Sequence, residues 1–227
     1  MKNIVNYWIA LTTAVIISSC VFAQTNIVEY FKSRGASVYE RRGKTHIVLS
    51  GGKQWNDNDL KNINQITNLY ILALGETNIT DIGIGYLSNN DNLESLGVSS
   101  TRINGEGFKS IKRLEKLSNL DANNTMLNDE GLKYVSELQG LEELQVGGTK
   151  ISDSGLRHLQ KMPKLKSLYI NNTNITDTGM QYLVGVKNLQ YVLVMGTKVT
   201  TKGIANLKRK LPHCEIDNKL PADAGLK

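Results

Sequence analysis

A repeat of 24 residues is the feature that most constrains what this chain can fold into. The register holds without a gap from Ile66 to Arg209. Self-similarity with a period of roughly 20 to 50 residues is typical of solenoids, in which units stack because none can bury its apolar side alone. The six units cover residues 66–89, 90–113, 114–137, 138–161, 162–185 and 186–209.

Each unit changes its period midway, which predicts its shape. The fourth place is always Leu and the seventh and ninth places are apolar, an alternation typical of a strand that buries one face. The nineteenth and twenty-second places are apolar and three apart, which puts both on one side of a helical turn. The fifteenth place holds a good helix N-cap residue in every unit: Thr80, Asn104, Asn128, Ser152, Thr176 and Thr200. One repeat is therefore predicted to be a strand, a turn and a short helix.

Several segments carry a resemblance to a known family. Residues 141–151, LEELQVGGTKI, and residues 165–175, LKSLYINNTNI, resemble the leucine-rich repeat consensus. The rhythm of ISDSGLRHL and ITDTGMQYL is most similar to the cysteine-containing subtype of F-box substrate receptors and many bacterial secreted proteins. The resemblance covers residues 66–209, which are 144 of 227. It implies an α/β leucine-rich-repeat solenoid, a horseshoe with parallel strands on the concave face and short helices on the convex face.

The chain departs from that subtype in ways that bear on function. Thr stands at the twelfth place of every unit, where the subtype has Cys or Asn, and no segment resembles an F-box. A ubiquitin-ligase role is therefore not implied. The Thr column is interpreted as structural, with each hydroxyl bonding the backbone of the next coil.

The first 23 residues are interpreted as a signal peptide. Lys2 provides a short positive start, and an apolar stretch follows from Trp8 to Ile17. A stretch of about ten apolar residues is too short to span a bilayer and fits a cleavable signal. We therefore expect a secreted, periplasmic or cell-envelope protein.

Two cleavage interpretations remain open. Val21-Phe22-Ala23 suits ordinary signal peptidase, which would release a chain that begins at Gln24. Residues 17–20, Ile-Ser-Ser-Cys, resemble a bacterial lipoprotein box, in which Cys20 becomes the lipidated first residue. On the second interpretation the protein contacts the membrane through a lipid anchor.

The flanks of the array are interpreted as caps. Residues 24–65 are predicted to hold an amphipathic helix and a degenerate first repeat, and residues 210–227 a closing strand and a tail. The apolar residues assigned to the first cap are Ile27, Val28, Phe31, Ile47, Leu49, Trp55, Leu60 and Ile63. Because one of the only two cysteines lies in or beside the signal, no disulfide is expected.

No set of residues in the repeats predicts catalysis, a cofactor site or a metal site. The recurring Asp is interpreted as stabilising the positive end of its own helix, and the Gly column as allowing close helix approach. His46, His158 and His213 lie in separate units, with no carboxylate or thiol at ligand spacing. We therefore expect a protein that is not an enzyme.

The charge pattern argues against a nucleic-acid partner. Lys and Arg exceed Asp and Glu by 27 to 21, and most of the surplus is Lys spread over the repeats. Nucleic-acid binders usually concentrate positive charge on one face. A protein is the partner class that we expect.

The partner is predicted to bind the concave face, which presents the sixth, eighth, tenth and eleventh places of each unit. The middle of this face is polar and slightly acidic. The residues chosen as candidates for partner binding are Asn119, Asp121, Asn123, Glu143, Gln145, Ser167, Tyr169, Asn171, Tyr191, Leu193 and Met195. The last three form an apolar cluster, which is either a contact site or covered by the closing cap.

Two other functions stay open from the sequence. The chain could be a structural or accessory envelope subunit that is bound through its ends. It could also bind glycans, because Asn, Asp and Tyr side chains on a sheet suit sugar hydroxyls.

Overall fold

One continuous sheet organises the protein. The computed structural model describes residues 25–49 and 52–218, so the predicted signal peptide, Cys20 and the tail from residue 219 lie outside the described residues. Within the described part, nine strands follow chain order across the sheet, β1 to β9. β1 is antiparallel to β2, and every later pair is parallel. The predicted α/β leucine-rich-repeat solenoid is confirmed.

The elements are short, as a 24-residue coil requires. The strands are β1 Ser37–Arg41, β2 Lys44–Val48, β3 Leu69–Ala73, β4 Ser95–Gly97, β5 Asn119–Asp121, β6 Glu143–Gln145, β7 Ser167–Tyr169, β8 Tyr191–Leu193 and β9 Glu215–Asp217. The α-helices are α1 (25–33), α2 Asp81–Gly85, α3 Asp129–Val135, α4 Asp153–Leu156, α5 Asp177–Leu183 and α6 Thr201–Lys210. Shorter 3-10 segments are Gly52–Gln54, Asp57–Leu60, Ile63–Gln65, Glu106–Ile111 and Arg157–Lys161.

The strands pair at a constant offset of one repeat. Leu96 is opposite Leu72 on one side and Leu120 on the other, and Leu144 is opposite Leu168. The seventh place therefore forms one column on the helix side of the sheet. Every member is at most 1% exposed: Leu72, Leu96, Leu120, Leu144, Leu168 and Val192. Burying each of these side chains stabilises the fold by roughly 2 kcal/mol.

The N-terminal end of the core is closed by α1. Ile27 and Phe31 are buried, and the Phe31 ring lies 5.9 Å from that of Trp55. Asp59, which is buried nearby, forms an ion pair with Arg34. The guanidinium of Arg34 also lies 4.8 Å from the centre of the Trp55 ring. The cap is thus held by an aromatic cluster with a paired charge at its edge.

The strand β1 was not predicted from the sequence. Arg42 and Gly43 both have positive φ, 51° and 74°, so they form a two-residue turn between β1 and β2. β1 lies at the edge of the sheet and is mostly exposed, and its Tyr39 ring lies 4.8 Å from His46. Because β1 buries little apolar surface, its pattern of apolar residues did not identify it.

The Thr hydroxyls at the twelfth place bond the backbone of their own coil. This corrects the prediction that each hydroxyl bonds the backbone of the next coil. Thr125 Oγ1 donates to Ala122 O at 2.8 Å, and Thr149 Oγ1 to Val146 O at 2.6 Å. The same bond, to the carbonyl three residues earlier, is made by Thr77, Thr101, Thr173 and Thr197. Each Thr therefore closes the turn that follows its strand.

The Asp column joins neighbouring coils, whereas the sequence predicted that each Asp serves its own helix. Asp177 accepts hydrogen bonds from Thr200 N at 2.8 Å and Thr200 Oγ1 at 2.7 Å, one coil ahead. Asp153 contacts Thr176 in the same way, at 2.8 and 2.6 Å. Because these donors stabilise the charged form, the pKa of Asp177 lies below its ordinary value.

The Gly column provides the space for those carboxylates. A Cβ added at Gly83 would lie 2.5 Å from Asp57 Oδ1, and one added at Gly203 would overlap the carboxylate of Asp177. Gly203 has no positive φ, so its role is steric. The Asp of one coil and the Gly of the next thus form a matched joint, repeated with Gly155 against Asp129 and Gly179 against Asp153.

The joint at Gly203 predicts that the effect of Gly203→Ala on the free energy of unfolding depends on whether Asp177 is present. In the wild-type protein we expect Gly203→Ala to lower the free energy of unfolding by about 1–3 kcal/mol, because its Cβ overlaps the Asp177 carboxylate. In an Asp177→Ala background the nearest of the contacts left is the residue 177 Cβ, at 3.3 Å. Since Ala favours a helix over Gly by about 1 kcal/mol, Gly203→Ala is then expected to be neutral or stabilising.

Urea unfolding of the wild type, the two single variants and the double variant measures this difference. An equal cost of Gly203→Ala in both backgrounds would contradict the joint.

Candidate functional site

The concave face is the side of β2–β9 that points away from the helices. Its strand positions are the sixth and eighth places of each repeat, and the tenth and eleventh places follow in the turn. Asn119 is exposed and Leu193 is buried, whereas the remaining candidates are half-buried: Asp121, Asn123, Glu143, Gln145, Ser167, Tyr169, Asn171, Tyr191 and Met195. The structure therefore places ten of the eleven candidates, all but the buried Leu193, on one continuous surface.

The buried Leu193 corrects one expectation. The sequence allowed Tyr191, Leu193 and Met195 to form an exposed apolar cluster, but Leu193 is only 4% exposed. In the sheet it lies between Tyr169 and Asp217, its partners on β7 and β9. Leu193 therefore contributes to the end of the sheet and is removed from the set of accessible candidates.

The polar side chains in the middle of the face bond to each other. Gln145 Nε2 donates to Glu143 Oε1 at 2.8 Å, and Asn123 Nδ2 donates to Gln145 Oε1 at 2.9 Å. Asn119 Nδ2 reaches Glu143 Oε2 at 3.4 Å. Asn123 Oδ1 also accepts from Gly147 N at 2.7 Å. These bonds hold the side chains in fixed positions before any partner binds.

The turns beside the strands are equally fixed. The eleventh place of every repeat is left-handed, with φ between 56° and 70°: Glu76, Ser100, Asn124, Gly148, Asn172 and Gly196. Asn tolerates this conformation better than most residues, and Gly adopts it freely. A Cβ at Gly148 would overlap the amide oxygen of Asn124 in the preceding coil. Gly at this place therefore leaves room for the Asn side chain of the neighbouring coil.

Two tyrosines stand side by side near the C-terminal end of the face. The Tyr169 and Tyr191 rings are 5.4 Å apart between centroids. Burial and the charge of Glu143 raise the pKa of Tyr169 above its ordinary value. Burial, and then the charges of Asp217, Tyr169 and Glu215, raise the pKa of Tyr191. The tyrosine pair therefore stands between carboxylates that come from β6 on one side and β9 on the other.

A depression at the N-terminal end of the concave face was not predicted from the sequence. It has a volume of about 410 Å³. Its lining includes Val48, Ala73, Gly75, Glu76, Gly97, Ser99 and Asp121. The run of small residues at the eighth and tenth places of the first two repeats was the signal that could have predicted it.

The concave face is acidic although the chain as a whole carries a net charge of +6. The strand positions of β3–β9 on this face include no Lys or Arg. They include four carboxylates: Asp121, Glu143, Glu215 and Asp217. The surplus of positive charge therefore lies elsewhere on the protein.

The described residues offer little for acid–base, nucleophilic or metal chemistry. Among them no group of three or more His, Cys, Asp or Glu could hold a metal ion. His46 lies on β2, and His158 lies in a 3-10 segment several coils away. Burial raises the pKa of the Cys214 thiol to about 11, so it stays protonated at neutral pH. None of the helices in the described residues has the length and hydrophobicity of a membrane-spanning segment.

Replacing one charge tests the geometry of the tyrosine pair. Glu143→Gln is expected to lower the pKa of Tyr169, because it removes the nearby negative charge, but to leave it above the ordinary value of about 10, since burial is the larger cause. NMR titration of protein with 13C-labelled tyrosine rings measures both pKa values. Tyr191 is the internal control, because Glu143 is not a cause of its shift. An unchanged Tyr169 pKa would contradict the described geometry.

Comparison with known proteins agrees with this architecture. The family model for Leucine Rich repeat matches residues 161–184. The sequence matches no curated relative. An internalin (inlF) from Listeria monocytogenes is similar in structure, with a TM-score of 0.57 and 24% identity, and the match covers 72% of this chain and 45% of that one. This chain therefore spans less than half of that internalin.

A second internalin from the same organism, internalin C2 (inlC2), is also similar. Its TM-score is 0.54 and its identity 19%, over 73% of this chain and 76% of that chain. At such identities the likeness concerns the fold, and the cysteine-containing subtype stays a prediction. In fold the chain is a leucine-rich-repeat solenoid, and one of its repeats matches the Leucine Rich repeat model.

Proposed function

We propose that this protein is a non-catalytic, extracytoplasmic binding module that holds a protein partner on its concave face. The observation that carries the proposal is the fixed array of half-buried polar and aromatic side chains on that face. A partner that docks on side chains already held by hydrogen bonds loses little conformational entropy in ordering them. Tyrosine is also enriched among residues that dominate binding energy in protein interfaces.

The extracytoplasmic part of the proposal rests on the sequence of residues 1–23, with its positive start and short apolar stretch. The protein-binding part is supported by the fold, because a curved parallel sheet offers a large surface while its helices bury the other side. Catalysis has no support, since we find no convergent acid, base and nucleophile among the described residues.

A concave triple variant tests the proposal. Asp121→Ala, Glu143→Ala and Tyr169→Ala together are expected to reduce recovery of the protein partner at least tenfold in pull-downs from the producing organism's envelope, as loss of several central contacts should. All three residues lie on the sheet surface, so we expect the variant to fold. Its circular dichroism and thermal unfolding check this.

The matched control is a convex triple variant, Lys109→Ala, Arg157→Ala and Gln181→Ala, at exposed positions of three helical segments. It should leave recovery unchanged. Unchanged recovery with the concave variant would refute the concave face as the site. If truncation of residues 219–227, which leaves β9 in place, abolished assembly instead, a structural or accessory subunit bound through its ends would be favoured. Binding to a cell-wall polysaccharide array that the concave variant abolished would favour a glycan.

The mature N-terminus tests the proposed location. Mass spectrometry of the protein from its own host is expected to find a chain that begins at Gln24, because Val21-Phe22-Ala23 suits signal peptidase. A chain that begins at a lipidated Cys20 would indicate a membrane-anchored form instead. A mature chain that still carries Met1 and the apolar stretch would contradict cleavage.

A further inference from the structure

The carboxylates of the rim are paired with lysines, whereas three carboxylates of the concave face are not. On the rim, which is the fifth place of each repeat, Glu94 and Glu142 both pair with a lysine. Lys44 Nζ lies 2.8 Å from Glu94 Oε1, and Lys166 Nζ lies 2.7 Å from Glu142 Oε2. On the concave face three carboxylates form no ion pair with any described Lys or Arg; these are Asp121, Glu143 and Glu215. In a chain with surplus Lys, the unneutralised charge of this face favours a cationic ligand.

The rim also contains a built example of how this protein holds a cation. Lys44 Nζ lies 4.2 Å from the centre of the Tyr70 ring while it pairs with Glu94. Tyr70 and Glu94 occupy the same place in successive repeats, and Glu94 N donates to Tyr70 O at 2.8 Å. A ring and a carboxylate from neighbouring coils thus bind one ammonium group between them.

The same combination recurs on the concave face without a cation from the described chain. Tyr191 and Glu215 are direct partners across β8 and β9, one repeat apart as Tyr70 and Glu94 are. Tyr169 adds a second ring, 5.4 Å from that of Tyr191. Glu143 supplies a carboxylate on the far side of that ring pair, and its charge acts on Tyr169.

We infer that Tyr191 and Glu215, with Tyr169 beside them, bind an arginine or lysine side chain of an extended, positively charged segment of the partner protein, and that Glu143 and Asp121 bind a second one. This inference rests on the proposed function and names the chemistry of its partner. The ring faces attract the first cation and Glu215 neutralises it, as Tyr70 and Glu94 do for Lys44.

The spacing of the strands sets the spacing of the partner's charges. Glu215 on β9 and Glu143 on β6 are three strands apart, which is roughly 14 Å at about 4.8 Å per strand. An extended chain covers that distance in about four residues. The segment should therefore carry two basic residues four positions apart, the first at Tyr191 and Glu215 and the second at Glu143 and Asp121.

A defined peptide tests the inference. The probe is Gly-Ser-Arg-Gly-Ser-Gly-Arg-Gly-Ser, and the control peptide has citrulline, which is neutral and nearly the same shape, in place of both Arg residues. NMR titration of the full chain with 13C-labelled tyrosine rings measures the Kd and shows which rings shift. We expect the Arg peptide to shift Tyr169 and Tyr191 and to bind at least tenfold more tightly than the citrulline peptide. Its affinity should fall as salt is raised.

Variants separate a specific site from attraction to an acidic surface. Tyr191→Leu and Glu215→Gln are each expected to weaken the Arg peptide roughly five- to tenfold, whereas Tyr191→Phe, which keeps a ring, should retain most of the affinity. The matched control is Tyr39→Leu, at an exposed tyrosine on β1, which should not change the Kd. Equal binding by Tyr191→Leu and Tyr191→Phe would overturn the cation site, as would equal binding of the two peptides.

The outcomes also distinguish this inference from the proposed function. If the Arg peptide does not bind but the concave triple variant abolishes partner recovery, the face is a binding surface with another anchor, and the inference alone fails. Lys219 is a basic residue of the chain's own tail. If the peptide binds only after Lys219→Ala, this tail is the occupant of the site, and the inference of a positively charged partner segment is overturned. Binding that depends on Tyr191 and Glu215 supports the inference even if recovery of the envelope partner is unaffected by the triple variant.

Discussion

The backbone ladder between successive coils is the constraint on which the rest of the structure depends. At the ninth place of each repeat the amide donates to the carbonyl at the eighth place of the next coil, as in Val98 N to Asp121 O at 2.7 Å and Val146 N to Tyr169 O at 2.9 Å. Because the repeat has a constant length, this bond recurs in register. All other columns then align: the buried Leu, the Thr that closes each turn, and the surface side chains of the concave face.

The side chains add a second joint on the convex side. The Asp at the start of one helix accepts hydrogen bonds from the start of the next, and the Gly at the eighteenth place leaves room for it. The second repeat lacks that Asp and has Gly105, with φ 108°, in its place. Its helical segment, Glu106–Ile111, is a 3-10 helix. Elsewhere in the array, ladder and joint together fix neighbouring coils on both sides, which helps the concave face to hold its side chains rigidly.

Structural features shared by all repeats could be predicted from the sequence. Features that occur only once in the fold could not. The period and its apolar columns predicted the strand, the helix and the parallel stacking. The β1 hairpin was missed because it is an exposed edge with little apolar pattern. The exposure of Leu193 was left open because its burial depends on its neighbours at the end of the sheet. The Asp and Thr columns were recognised, but their partners were not, since spacing alone cannot say whether a polar group bonds its own coil or the next. The depression beside Asp121 was missed although the small residues at the eighth and tenth places of the first two repeats could have predicted it.

These features connect the fold to recognition. The rim neutralises its carboxylates with lysines, and the concave face keeps Glu143 and Glu215 beside two tyrosine rings, so the face has both a fixed shape and a charge preference. All of this requires coils that pair edge to edge. Hydrogen–deuterium exchange at single amides tests that requirement most directly, at the ninth-place residues Leu74, Val98, Ala122, Val146 and Ile170. The account predicts that these amides are uniformly protected and exchange only when the array opens as a whole. Fast exchange at Ala122 or Val146, in the middle of the array, would contradict it.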